Sequence, residues 1–219
     1  MKQKILILLW MLSCCFSSYA QRSPVFSLAE GGRIVPDADY VVPFEKCTYE
    51  GITPYILKTS DAQTTSSGNA YAIRCLQYNH WENDPGDFHV VEISSGGKSL
   101  LTLENPEGWE FFRADAGFDI NSYPCYGRID LDGDAIALLF TGVNIMSQPP
   151  YCTVVILKGG KATLVYNHPA FINDIRKSGD ETVITLEMNT VEWIDEHTRY
   201  NDPILNKLIL KEGMMYLEK

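Results

Sequence analysis

The 219-residue chain has few of the features that mark membrane spans, zinc sites or hydrolase nucleophiles. After the N-terminus no run is long and apolar enough to cross a bilayer, which takes about 20 residues. No two cysteines have the CxxC spacing, which argues against a zinc site. Neither GxSxG nor HExxH occurs, so no motif identifies a catalytic serine or a metalloprotease helix.

Basic residues are also scarce, because 18 Lys and Arg stand against 28 Asp and Glu, for a net charge of −10. An acidic surface repels polyanions, and we therefore expect no nucleic-acid partner. Convincing helical periodicity over a dozen residues is absent as well. The sequence thus points to an acidic protein that is rich in strands.

The N-terminal segment 1–20 has the pattern of a secretory signal peptide. Lys2 and Lys4 precede an apolar run, and small and polar residues lead to Ala20, after which we predict cleavage. Removal of this segment moves the net charge from −10 to −12, since it holds two lysines and no acids. We expect an exported bacterial protein, periplasmic or extracellular, and the alternative is an outer-membrane lipoprotein acylated at Cys14 or Cys15.

Four cysteines follow the predicted cleavage point: Cys47, Cys75, Cys125 and Cys152. In an exported protein four cysteines pair in three possible ways, and the sequence does not choose among them. Two disulfides, or one disulfide with two buried thiols, both fit the spacing.

Strand signals run along the whole chain and predict an all-β fold. The runs AIALLF, CTVVIL and FHVVEI are apolar at consecutive positions, which is typical of strands buried on both faces. By contrast, TVITLEM alternates, with Thr182, Ile184, Leu186 and Met188 on one face and Glu187 on the other. Tight turns are predicted where GGK occurs, at 96–98 and 159–161, and at Glu212 and Gly213.

These strands belong to a repeated unit. Each unit begins with a glycine turn and a strand, continues with a loop, and ends with a hairpin. The repeat predicts one domain over 21–219, built from three or four antiparallel four-stranded meanders in a small β-propeller-like array. The alternative is a two-sheet β-sandwich. The approximate unit boundaries are 21–65, 66–127, 128–177 and 178–219.

Three alternating aspartates, Asp130, Asp132 and Asp134, lie at the start of the third unit. The run DLDGDA resembles the start of the calcium loops of EF-hand-like proteins and of integrin-type propeller repeats. Both patterns need further residues that are missing, because Ala135, Leu138 and Thr141 stand where glycine or an acid is expected. We favour a type I′ turn centred on Asp132 and Gly133 with solvated flanking aspartates, and we expect no cofactor, with calcium as the weak alternative.

The loops between the first strand and the hairpin of two units are similar. YNHWENDPGD (78–87) and EWIDEHTRYNDP (192–203) each combine Trp, His, carboxylates and a terminal NDP. An exposed Trp beside acceptors suits a sugar ring, whose apolar face stacks while its hydroxyls bind the acceptors. If the units are equivalent, both loops emerge on the same edge. The candidate ligand-binding residues are Trp81, Glu82, Asp84, Glu192, Trp193, Arg199 and Asp202.

Three functions are compatible with these loops. We favour an exported binding or interaction module, noncatalytic, whose partner is a carbohydrate or another envelope protein. A glycoside-hydrolase-like enzyme is the first alternative, with Glu82 and Glu192 or Asp195 as the carboxylate pair, or His80 or His197 as a general base. A structural envelope protein is the second.

Overall fold

The computed structural model describes residues 21–44, 55–78, 86–112, 124–143, 150–188, 191–194, 197–200 and 202–219. Only the backbone is described for 55–62, 191–194 and 197–200. Seventeen strands lie in the described residues, and no described helix is long and apolar enough to cross a membrane. The predicted signal peptide, with Cys14 and Cys15, and Cys47 lie outside the described residues.

The strands form three consecutive four-stranded meanders, preceded by an N-terminal segment. The N-terminal strands are β1 (Arg22–Pro24), β2 (Phe26–Ala29) and β3 (Arg33–Pro36). The first meander is β4 (Tyr55–Thr64), β5 (Ala70–Gln77), β6 (Phe88–Ser95) and β7 (Lys98–Glu110); the second is β8 (Gly127–Leu131), β9 (Ala135–Gly142), β10 (Tyr151–Lys158) and β11 (Lys161–Pro169). The third is β12 (Phe171–Ser178), β13 (Glu181–Met188), β16 (Ile204–Lys211) and β17 (Met214–Glu218), with the hairpin β14 (Val191–Ile194) and β15 (His197–Tyr200) inserted after β13.

All pairings between these strands are antiparallel, which confirms the all-β meander prediction. The propeller-like arrangement is not confirmed. Trp109 and Glu110 of β7 pair with Gly142 and Thr141 of β9, and this joins the first two meanders into one eight-stranded sheet, with β8 added on β9. Blades of a propeller are separate sheets. The third meander forms a second sheet in which β1 pairs with β17, so the architecture is sandwich-like.

The meander boundaries also differ from the approximate units that the sequence indicated. Strand β12 falls within the unit 128–177, yet it pairs with β13 of the following unit. Each meander begins one strand before the glycine turn that was used to mark its start.

The second meander is a middle layer between two cores. One face of β9 and β10 packs against the third meander, where Ala137 and Val154 share a cluster with Ile184 and Leu208. The opposite face, with Leu138 and other residues, packs against β5 and β6 of its own sheet, so this sheet folds over on itself. Burial on both faces was predicted for AIALLF, CTVVIL and FHVVEI. Every residue of the first two runs is buried, and in FHVVEI all residues except Glu92 are buried.

The third meander has one buried face, as its alternating sequence predicted. Ile184 and Leu186 are fully buried, and Glu187 lies on the opposite side of β13. The N-terminal segment then ties the two sheets together. Its strand β1 adds to β17, and farther along Val42 donates from its backbone nitrogen to the carbonyl of Asn167 on β11, at 2.9 Å.

Candidate functional site

The six short turns of the three meanders all lie at one end of the sheets, which we call the tip end. Five contacts bring them together. The hydroxyl of Tyr71 accepts from the backbone nitrogen of Gly160 at 2.9 Å, and Ser95 Oγ donates to the carbonyl of Ala70 at 2.7 Å. Lys211 pairs with Asp180 at 3.3 Å, and the remaining contacts join Ser67 to Asp134 and Gly213 to Asp132.

The opposite end carries the longer segments that join the second strand of each meander to the third, 78–87, 143–150 and 189–203. The second strand of each meander starts at the tip end and the third strand finishes there, so the segment between them lies at the opposite end of its sheet, which we call the loop end. This arrangement agrees with the equivalence of the units that the two NDP loops suggested.

The structure describes only some of the predicted ligand-binding residues. Trp81, Glu82 and Asp84 lie outside the described residues, as do His80 and Asp195. Glu192 and Trp193 belong to β14, and their register partners on β15 are Arg199 and Thr198. Asp202 is exposed just before β16. The structure therefore places Glu192 opposite Arg199, and whether Trp81 and Trp193 share a surface stays a prediction.

Gln77, the last residue of β5, fixes both ends of the loop that carries Trp81. Its Nε2 donates to the carbonyls of Gly86 and Asp87, each at 3.2 Å, and its Oε1 accepts from the backbone nitrogen of Tyr78 at 2.9 Å. The same Oε1 is hydrogen-bonded to Nδ1 of His89, which is fully buried. One side chain thus holds the entry and the exit of the segment 79–85.

Asp87 adds a second anchor on the exit side of this loop. Its backbone nitrogen donates to the carbonyl of Trp109 at 2.8 Å, and its carboxylate accepts from the backbone nitrogen of Phe111 at 2.7 Å. Gly86 has a φ of +88° and lies so close to Gly108 that a Cβ would be 2.9 Å from its Cα. Only glycine fits such a close approach without displacing the neighbouring backbone.

An aromatic cluster supports the loop end from below. The ring of Trp109 is fully buried and packs edge-on against Phe44, with ring centroids 5.4 Å apart, and stacks on Phe88 at 5.7 Å. Its Nε1 donates to Thr153 Oγ1 at 3.3 Å, and Thr153 donates to Asn167 at 2.8 Å. These buried polar groups are satisfied by one another, which rigidifies the base on which the loops stand.

No motif in the sequence marks Gln77, Asp87 or Trp109 as residues of the loop end. Asp87 was seen only as one polar residue of a loop, and Gln77 has the appearance of an ordinary strand end. The one available signal was that Gly86 and Asp87 follow the first NDP, because a glycine there indicates a backbone position with special geometry.

The aspartate stretch forms a turn, but its geometry corrects the predicted one. Leu131 pairs with Ala135, so the loop has three residues, and the positive φ angles belong to Gly133 and Asp134 rather than to Asp132 and Gly133. Asp134 is not a solvated flank. Its carboxylate accepts from Ser66 Oγ at 2.8 Å, from the backbone nitrogen of Ser67 at 2.6 Å and from Ser67 Oγ.

These hydrogen bonds, those of Ser67 first, lower the pKa of Asp134 to about 2. Asp130 has a different partner, because it forms an ion pair with Arg128 at 2.6 Å. Two of the three carboxylates are thus occupied by protein donors. Among the described residues no group of three or more His, Cys, Asp or Glu side chains is arranged to hold a metal ion, and calcium binding stays an untested alternative.

The described cysteines are buried, and they offer no exposed thiol. Cys152 is a free thiol with no exposed surface, and desolvation raises its pKa to about 12. A neutral, inaccessible thiol is a poor nucleophile, which argues against cysteine catalysis at this position.

A comparison of the chain with protein-family models, with curated proteins and with solved structures finds no match.

Proposed function

We propose that the protein is an exported, noncatalytic binding module that recognises glycans at the loop end. The observation that supports this most is the contrast between the ends, because every meander has short turns at the tip end and its long central connection at the loop end. Binding residues are commonly carried on loops that a rigid sheet scaffold positions.

The anchoring of the loop that carries Trp81 supports the same proposal. Gln77 and Asp87 fix its two ends, and the buried ring of Trp109 lies beneath them. A loop whose ends are fixed loses less conformational entropy when it binds a ligand, so an anchored Trp loop is suited to recognition. The ligand class follows from the composition of the two NDP loops, in which Trp would stack on a sugar face and Glu82, Asp84, Glu192 and Asp202 would accept from hydroxyls.

A glycan array tests the proposal with the wild-type protein and the variants Trp81→Ala and Trp193→Ala. We expect binding to a defined glycan class that each variant weakens by about tenfold or more, since one aromatic–sugar contact is lost in each. Leu28→Ala, which removes an exposed apolar residue of the N-terminal hairpin, is the control and should leave binding unchanged.

Two other outcomes would contradict the proposal. Release of reducing ends that Glu82→Gln or Glu192→Gln abolishes would show a glycoside hydrolase instead. A wild-type protein that binds no glycan and co-purifies with an envelope protein would favour a structural role.

A further inference from the structure

The outer face of the third meander contains a polar trough that lies apart from the loops. Its floor is made by Val183 and Thr185 of β13, and its volume is about 470 Å³. Asp174 and Arg176 of β12 form one wall, and Lys207 of β16 forms the other. The register places Asp174, Thr185 and Lys207 side by side across three strands, so the two walls stand about 10 Å apart with short side chains between them.

The charges of both walls are neutralised without crossing the trough. Arg176 pairs with Asp174 on its own strand, at 2.5 Å, and Lys207 pairs with Glu218 of β17, on the far side from β13, at 3.0 Å. No charge in the trough therefore awaits a counterion. A charged ligand would compete with these exposed ion pairs, whereas a neutral ligand that carries hydroxyls would add hydrogen bonds to carboxylate, guanidinium, ammonium and hydroxyl groups that are already in place.

One pair of polar side chains closes each end of the trough. Towards the loop end, Asn173 donates to Glu187 at 2.5 Å, and towards the tip end, Lys211 pairs with Glu181 at 3.3 Å. Glu181 and Glu187 are six positions apart along β13, which corresponds to about 20 Å and is long enough for a short oligosaccharide. A β-bulge at Asn173 locally breaks the pairing of β12, and bulges of this kind are common beside binding sites.

We propose that this trough binds a neutral, linear oligosaccharide. Among the described residues that line it, Val183 is the one apolar residue, so this lining offers no side-chain pockets of the kind that would select an extended peptide. The proposal rests on the proposed function for its ligand class only, because its residues belong to β12, β13 and β16 rather than to the Trp loops.

The experiment titrates the full chain with neutral di- to hexasaccharides of glucose, xylose and N-acetylglucosamine, followed by NMR amide shifts and by calorimetry. We expect the amides of Val183 and Thr185 to shift, and Thr185→Trp, which fills the floor, to weaken the binding of the longer oligosaccharides by about tenfold. Thr102→Trp, at an exposed threonine of β7 in the other sheet, is the matched control and should bind as the wild type does.

The possible outcomes separate the two proposals. If Trp81→Ala and Trp193→Ala abolish binding while Thr185→Trp leaves it intact, the trough proposal is wrong and the loop proposal stands. If Thr185→Trp abolishes binding and the Trp variants do not, the loop proposal is wrong and the trough proposal stands. If no oligosaccharide of the panel shifts any amide of the wild type, both are wrong.

Discussion

At the tip end the chain reverses within two to five residues, and the turns contact one another through backbone and short polar side chains. At the loop end the longer segments 78–87, 143–150 and 189–203 join the two central strands of each meander, and buried aromatic rings lie beneath the two ends of the first segment. Turn geometry therefore specifies the tip end, whereas the packing beneath the first long loop specifies the loop end. Variants at the two ends should therefore differ in whether they affect stability or binding.

Trp109→Ala should give the largest effect, because it removes a fully buried ring from beneath the loop end. The loss of packing against Phe44 and Phe88 and of the hydrogen bond to Thr153 should lower the free energy of unfolding by about 3–5 kcal/mol. Urea unfolding followed by circular dichroism measures it. A loss below about 1 kcal/mol would contradict the account of the aromatic base.

Gly213→Ala tests the tip end in the same assay. A Cβ at this position would lie 2.6 Å from the carbonyl oxygen of Asp132, and φ is +72°. We expect a loss of about 1–3 kcal/mol from clash and backbone strain together, with glycan binding unchanged. Gly97→Ala is the matched control, since its φ is +76° but no atom lies within 4 Å of a Cβ, and it should lose less. Equal losses would show that the contact between Gly213 and Asp132 contributes nothing.

Gln77→Ala should separate binding from stability at the loop end. Without its amide, both ends of the segment 79–85 lose their shared anchor, so we expect hydrogen exchange at the Tyr78 amide to rise by about tenfold and glycan affinity to fall. Gln63→Ala, at the tip end of β4, provides the comparison and should leave affinity unchanged. Unaltered exchange at Tyr78 in Gln77→Ala would contradict the anchoring role.

How much of this could be predicted from the sequence differs between the two ends. The GG turns and the doubly buried strands were predicted correctly because each depends on local pattern, on left-handed glycines or on consecutive apolar residues. The aspartate turn was placed one residue too early, since Asp134 adopts a positive φ that its contacts with Ser66 and Ser67 stabilise. Those contacts join residues far apart in the chain and leave no local signal.

The joining of the first two meanders was not predictable for the same reason. Strands β7 and β9 are joined by two residue pairs, and the segment 111–126 separates β7 from the second meander in the sequence. No periodicity in either strand specifies which strand will be its neighbour. At the loop end, the sequence identified the Trp loops by composition but not Gln77, because a glutamine that anchors a loop has the same local pattern as one that is solvated.

Asp134→Asn should have the smallest effect and a characteristic pH dependence. The hydrogen bonds from Ser67 and Ser66 lower the carboxyl pKa to about 2, below the value of about 3.9 in an unfolded chain, so the ionised form stabilises the fold above about pH 4. This contribution is lost as the pH falls from about 4 towards 2. We expect Tm of the wild type to exceed that of the variant at pH 7, with the difference narrowing over this range. A Tm difference between the wild type and the variant that does not change with pH would contradict the stabilising role of the ionised Asp134 carboxylate.

The most direct test of the central claim compares the two ends in a single binding assay. Calorimetry with the best glycan from the array should show that Trp81→Ala and Trp193→Ala each lower affinity by about tenfold or more, whereas Lys98→Ala at the tip end leaves affinity unchanged. Equal affinities for the wild type and both Trp variants, or a loss in Lys98→Ala alone, would contradict a glycan-binding loop end.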